Sequence, residues 1–276
     1  LKRKVSLADK SLIKNFLYIL SPISVIFSFF SIVIDVAREA KVIVGVLIVA
    51  ILLILYIITW TRANKLLKVE LSVNNSTLVV KIGDIFEEEG FKVIGFNEYF
   101  DTIVDNKIIS EKTLNGRYLK ETVIDIEELD KLIESDEQLK EKIVGRNENR
   151  VRGKKNKYKL GSIIQDGEFL LTAFSRFDSD NRAFLYMNDY INFLLNFWNE
   201  IDIVYAGRSI SMPLMGSGVT RFKEFTNITD QELLELLLWS FKISRIKFTY
   251  PSKVTIVIHE SRKDKINFYK LKEPFL

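Results

Sequence analysis

The sequence predicts an α/β protein: a three-layer domain with a mixed sheet, preceded by an N-terminal hairpin of two helices suited to lipid. Two observations predict the hairpin. Phe16–Ile34 and Val42–Trp60 are each 19 residues long without one charged side chain, and only a short link separates them. A third predicts the domain: from Lys68 onward, short β-rich runs alternate with amphipathic segments, the order expected when helices cover a sheet. The totals, 47% hydrophobic and 28% charged over 276 residues, average over these two environments and hide them.

Each apolar stretch rises about 28 Å as a helix, close to the roughly 30 Å of a hydrocarbon core. Helices cross lipid because they satisfy their own backbone, and the link Asp35–Lys41 is long enough to reverse the chain. A cleavable signal has a shorter apolar core and is not followed at once by a second span. Lys2, Arg3, Lys4, Lys10 and Lys14 precede the first span and Arg62, Lys65 and Lys68 follow the second, so the positive-inside rule puts both ends in the cytoplasm of a multi-pass inner-membrane protein. Tyr56 and Trp60 then fall near the cytoplasmic interface. Ser21, Ser24, Ser28, Ser31 and Asp35 form a small polar seam. It fits packing against the second helix; packing between subunits, or lining a watery path, is the other reading. Leu1 points to a missing start or a non-standard initiator.

The chain contains no cysteine and one histidine, His259. Disulfides, thiolate nucleophiles and Cys-ligated zinc are excluded, and a His-based triad or His-rich metal site has too little to build on. The net charge of +4 comes from Lys and Arg interleaved with Asp and Glu, which reads as a solvated surface and not a nucleic-acid face. The basic run Arg146–Lys159 reads as a flexible loop.

Residues 1–67 are assigned to the basic segment and hairpin, and 68–276 to the cytosolic domain. Lys68–Val73 and Thr77–Ile82 flank Asn74-Asn75 as a β-hairpin, and Phe91–Phe96 is a central strand. Ile124–Val144 has charged helical periodicity, one surface helix or two. Lys157–Gln165 and Glu168–Ser175 pair through Asp166-Gly167. Ala183–Tyr205, rich in aromatics at helical spacing, reads as a buried helix feeding the strand Arg208–Met215. Asp230–Ile246 is a helix capped by Thr229 with Glu232 three residues on, and Lys253–His259 an interior strand.

Ligands sit where strands of an open α/β sheet end. Gly216, Ser217, Gly218, Val219 and Thr220 follow such a strand end, and two glycines around one serine can turn several N–H groups toward a phosphate. Arg221 would add charge. Asp84 and Ile85 follow a second strand, and Asn97, Glu98, Tyr99, Phe100 and Asp101 a third.

These three places together resemble the macro domain family, over most of residues 77–260. The resemblance implies that Asp84 and Ile85 contact adenine, Asn97 the distal ribose, and Gly216–Val219 the diphosphate. The loop after Asn97 departs from the hydrolytic members, which carry a second Asn and a glycine run. Glu98, Phe100 and Asp101 suit recognition of a group beyond the ribose, with Glu98 or Asp101 pairing with an amine; the alternative is that both are surface loop charges. With FNEYFDT, LLTAFSRFD and PLMGSGVTRF behind a helix pair, the chain also resembles the transmembrane-macro type of Thoeris antiphage effector.

That resemblance implies a receptor-effector without catalytic residues, metal or cofactor. A TIR-domain partner would make an ADP-ribose-derived signal, a histidine-ADP-ribose conjugate, on infection. The macro domain would bind it, and the helices would assemble as a homo-oligomer that disrupts membrane lipid. A membrane-tethered ADP-ribosyl hydrolase is the alternative.

Overall fold

The structure, a computed structural model, describes residues 4–33, 37–249 and 251–272. By its contacts the chain divides into two units: residues up to Val69 together with the segment from Ile266, and Glu70–Lys265. The sequence reading carries the second domain through to 276, whereas the segment from Ile266 groups with the helical unit.

In the first unit, helix α1 spans Lys10–Val33 and α2 spans Arg38–Asn64. Asp9 caps α1 by accepting the N–H groups of Ser11 and Leu12 at 3.0 and 3.1 Å, two donors the first turn leaves without helical partners. Both helices are long and apolar enough to cross a bilayer, and few of the side chains in those stretches are buried. A soluble amphipathic helix would turn an apolar face into a core; here Phe29, Val42, Ile43 and Val46 are all exposed.

Order within this unit concentrates at the polar end of the hairpin. Asn64 Oδ1 accepts the N–H groups of Lys4 and Val5 at 2.8 and 3.0 Å, while the Trp60 indole donates to the Val5 carbonyl at 2.8 Å and the Tyr56 hydroxyl to that of Leu7. Val5, Leu12, Ala63 and Tyr269 form a small buried cluster there, and Asn15 Nδ2 donates to the Tyr269 hydroxyl at 2.8 Å.

The serine seam is described in part. Ser21, Ser24 and Ser28 are exposed, and Ser24 and Ser28 donate to the carbonyls of Ser21 and Ser24 within α1, a pairing open to any helical serine. Asp35, the side chain of Ser31, and Lys2 and Arg3 lie outside what is described.

In the second unit, strands β1 (Lys68–Val73) and β2 (Ser76–Ile82) meet through Asn74 and Asn75. Both sit at positive φ, 52° and 63°, as a two-residue hairpin turn requires. Strand β3 is Phe91–Asn97, followed by the short helix α3 (Leu114–Arg117) and one π turn, Tyr118–Thr122. Helices α4 (Ile126–Ser135) and α5 (Glu137–Lys140) lead to β4 (Ile143–Arg146) and β5 (Asn156–Tyr158), a separate antiparallel pair. Then come β6 (Ile163–Asp166), β7 (Phe169–Phe177), β8 (Ala183–Leu185) and α6 (Met187–Val204). Strand β9 (Ile210–Pro213), β10 (Arg221–Phe222), α7 (Asp230–Ile243) and β11 (Lys253–Ile258) complete the domain.

The sheet runs β1-β2-β11-β9-β3-β7-β8-β10, with β6 also on β7. Strands β2, β11, β9, β3 and β7 are parallel to one another, β6 and β8 antiparallel to β7. The sheet is therefore mixed, and its parallel strands share one carboxyl edge. Covered on both faces, such strands read as nearly continuous apolar runs: in β11, all but Lys253 is buried.

On one face α6 and α7 supply Phe193, Phe197, Trp198, Leu234, Leu237 and Phe241, all buried. The two helices join where the Trp198 indole donates to Ser240 Oγ at 2.9 Å. On the other face Ile94, Phe96, Tyr118, Leu129, Ile133 and Leu171 form a second core. The three-layer, mixed-sheet α/β expectation stands.

Three local expectations do not. Ala183–Leu185 is strand β8 and not helix: it pairs with both β7 and β10, and α6 starts only after Tyr186, where Asp189 reaches back to the Tyr186 N–H. Ile124–Val144 ends in strand β4, because Asp136 breaks α4 and caps α5 by accepting the Leu139 N–H at 2.6 Å. The basic run 146–159 is no loose loop: it forms the turn and second strand of the β4–β5 pair, and the Arg150 side chain is buried against Asp101.

Candidate functional site

Strands β2, β9 and β11 end side by side on the carboxyl edge, and the turns that follow them enclose a cleft of about 440 Å³. Gly83, Asp84 and Ile85 line it after β2, Pro213–Thr220 after β9, and His259, Ser261 and Arg262 after β11. The segment from Lys112 through α3 closes another side, and Gly95 and Phe174 form part of the floor.

The glycine loop is held by its own chemistry. Ser217 directs both its N–H and its hydroxyl to the Leu214 carbonyl, at 3.3 and 2.8 Å. Gly216 sits at φ +89°, and a Cβ there would lie 3.0 Å from the Phe222 ring, so this position demands glycine. A Cβ on Gly218 would meet nothing within 4 Å. Beneath the loop, the fully buried Tyr190 donates to the carbonyls of Met215 and Leu233 at 3.1 and 3.4 Å. Burial pushes its phenol well above the usual tyrosine range.

Asp84 caps the turn after β2: one oxygen accepts the Phe86 N–H at 3.1 Å, and the other pairs with Arg117 Nη1 at 3.1 Å. Arg117 stacks over the Phe86 ring, 4.5 Å from its centroid. On the opposite wall Arg262 stands 3.6 Å from Asp230 Oδ2, in the first turn of α7. Two guanidinium groups in the lining, Arg117 and Arg262, suit an anion.

The structure brings together Asp84, Ile85, Gly216, Ser217, Gly218, Val219 and Thr220, and leaves five predicted residues outside the lining. Arg221 belongs to β10, whose backbone pairs with β8, and its side chain is exposed. Asn97, Glu98, Phe100 and Asp101 are buried under the β4–β5 pair. Asn97 Oδ1 accepts the Tyr99 N–H at 2.9 Å and its Nδ2 donates to Asp101 at 2.9 Å. Arg150 donates to Asp101 through both terminal nitrogens at 2.9 and 2.6 Å, and the Lys154 N–H adds a bond at 2.8 Å. Glu98 faces Arg176 and Lys157 at 3.4 and 3.7 Å, and Phe100 packs on Phe96 and Tyr158. Each of these side chains has a protein partner within this part of the domain.

Residues 78–259 match the family described as Thoeris protein ThsA, Macro domain. A Thoeris protein ThsA of Bacillus amyloliquefaciens (strain Y2) is 41% identical, covering 99% of this chain and 92% of that protein. The chain belongs to the Thoeris ThsA family. Among solved structures, an Oceanobacillus iheyensis macrodomain with MES bound is similar at a TM-score of 0.48 and 16% identity, covering 74% of this chain and 95% of that one. The same macrodomain with ADP gives 0.46 and 15%, over 74% and 95%.

In this ThsA-family chain the cleft also recruits residues that motif reading passes over. Thr113 caps α3 by accepting the Gly116 N–H at 3.3 Å, which aims Leu114, Asn115 and Arg117 at the cleft. The Thr113–Gly116 spacing was a legible cap signal. Nothing in the sequence marks Arg262 or the lone His259, whose Nδ1 lies 2.8 Å from Ser261 Oγ.

Proposed function

We propose that the cleft binds an ADP-ribose-type nucleotide, with the diphosphate over Gly216–Thr220 and the adenine against Asp84 and Ile85. The observation that carries this reading is the convergence of the turns after β2, β9 and β11 on one carboxyl edge. Asp84 offers acceptor oxygens to an exocyclic amine. Membership of the Thoeris ThsA family supports a signal derived from ADP-ribose and made by a TIR-domain partner, for which a histidine conjugate is the first compound to test.

The apolar helices α1 and α2 are read as a membrane-spanning hairpin with both chain ends in the cytoplasm. Ligand binding shifts the chain toward an assembled state only by as much as the ligand prefers that state. In our reading the assembled form is a homo-oligomer that disrupts the bilayer, and the exposed serine seam of α1 offers close contact between copies. Glu98, Phe100, Asp101 and Asn97 enter as the rigid support of the neighbouring loop.

Calorimetry on the full chain in detergent tests the cleft. ADP-ribose should bind, and Gly218→Asp should weaken it about tenfold or more, 1.4 kcal/mol per decade, because a carboxylate would stand in the phosphate loop. Equal heats for both proteins would place the nucleotide elsewhere. Carbonate extraction of cell membranes should leave the chain in the pellet; release into the supernatant would refute the spanning hairpin. Release of ADP-ribose from an ADP-ribosylated protein would favour the hydrolase instead.

A further inference from the structure

Two guanidinium groups line the cleft, and they are held differently. Arg117 is hydrogen-bonded to Asp84 at 3.1 Å and also approaches Glu121 at 3.4 Å. Arg262 faces Asp230 at 3.6 Å, and Asp230 Oδ2 is buried without a hydrogen-bond partner among the described residues. An anion in the cleft can therefore recruit Arg262 without breaking a formed hydrogen bond.

The place of Arg262 in the chain gives that recruitment a consequence. It lies in the 3-10 segment Glu260–Lys265, fastened at its start by the Arg262 N–H to the His259 carbonyl at 2.8 Å. Directly after this segment, at Ile266, the chain enters the helical unit. There Asn267 donates to the Lys4 carbonyl at 3.4 Å, its Oδ1 accepts the N–H groups of Tyr269 and Lys270 at 3.1 Å each, and Tyr269 is buried with Val5, Leu12 and Ala63 at the base of the hairpin. One short stretch of backbone thus carries a cleft cation at one end and a hairpin clasp at the other.

We propose that Arg262 takes a phosphate of the bound nucleotide from Asp230 and that the segment Glu260–Leu271 carries the state of the cleft to the base of the helical hairpin. This rests on the reading of the cleft as an ADP-ribose site. Asp230 is the competitor that holds Arg262 back in the empty protein, and Tyr269 and Asn267 are the contacts that receive the change.

The test is amide hydrogen exchange on the full chain in detergent, with and without ADP-ribose, alongside calorimetry. In the unaltered protein ADP-ribose should change exchange over 266–271 as well as over 213–220. Arg262→Ala should bind ADP-ribose about tenfold more weakly and, at saturation, alter exchange at 213–220 but no longer at 266–271; Arg262→Lys should restore part of the affinity. Asp230→Asn should bind more tightly than the unaltered chain. Binding with no exchange change at 266–271 in the unaltered protein would overturn the proposal while leaving the cleft reading in place. So would an Arg262→Ala protein that matches the unaltered chain in both readouts. Absence of any ADP-ribose binding by the unaltered chain would overturn the cleft reading itself, and the proposal with it.

Discussion

Arg150 closes both terminal nitrogens on the carboxylate of Asp101, at 2.9 and 2.6 Å, with the Asp101 side chain wholly buried. The guanidinium also lies 3.9 Å from the Tyr99 ring centroid. The pair pins the basic turn between β4 and β5 onto the loop after β3. Removing one partner of a buried pair strands the other's charge, which costs about 3–5 kcal/mol. Arg150→Met should lower unfolding stability by that order in denaturant titrations, and Asp101→Asn in the same chain should recover part of it. An Arg150→Met protein as stable as the original would mean that Asp101 is satisfied without it.

A second ion pair contributes to the response to acid. Hydrogen bonds from Arg176 to Asp189, both 2.9 Å, hold the Asp189 carboxyl below the usual carboxylate range, burial partly opposing them, and the same bond raises Arg176. The folded value lies below the unfolded one, about 3.9. The stabilisation is therefore fully present above that value and is lost as pH falls through the folded one. Asp189→Asn should be less stable at pH 7, and the gap to the unaltered chain should narrow below about pH 4. A gap independent of pH between 7 and 2 would mean that the pair adds nothing through ionisation.

Much of this protein is legible in its sequence because its signals are local. The uncharged runs of α1 and α2, the Asn74-Asn75 and Asp166-Gly167 turns, the Thr229 cap of α7 and the apolar strand β11 each announce themselves within a few residues. Two of the turns around the cleft were equally legible, since Asp84-Ile85 and Gly216–Thr220 follow strands. What sequence does not carry is long-range pairing. Arg150 lies 49 residues from Asp101, so a loop charge and a basic run both look solvent-facing until the fold brings them together. Likewise Ala183–Leu185 has helical periodicity, yet an open sheet edge beside β7 captures it. Arg262 reaches the cleft only because β11 lies between β2 and β9.

The two glycines of the loop after β9 should behave differently. Gly216→Ala places a side chain at φ +89° and 3.0 Å from Phe222, and should destabilise the fold by more than about 1 kcal/mol. Gly218→Ala has open space and no positive φ, and should leave the thermal midpoint unchanged. Loss of stability at Gly218, or tolerance at Gly216, would show that the loop adopts another conformation in solution.

Tyr190 links core to cleft. Its hydroxyl is the buried donor to the Met215 carbonyl, immediately before Gly216, and it also reaches Leu233 of α7. Phenylalanine keeps the ring packing against Phe174, Phe193 and Phe222 but leaves both carbonyls without that donor. A buried acceptor so stranded costs about 1–3 kcal/mol. Tyr190→Phe should therefore unfold at lower denaturant with an unchanged slope, since the surface exposed on unfolding is the same. Because the lost bond fixes the entry to the loop Gly216–Thr220, where we propose the nucleotide binds, ADP-ribose affinity should fall as well, whereas Trp198→Phe, which removes a buried donor to Ser240 on α7, should cost stability and leave affinity alone. Equal effects of the two variants on binding would mean that the Tyr190 hydroxyl supports the fold in general and not the loop.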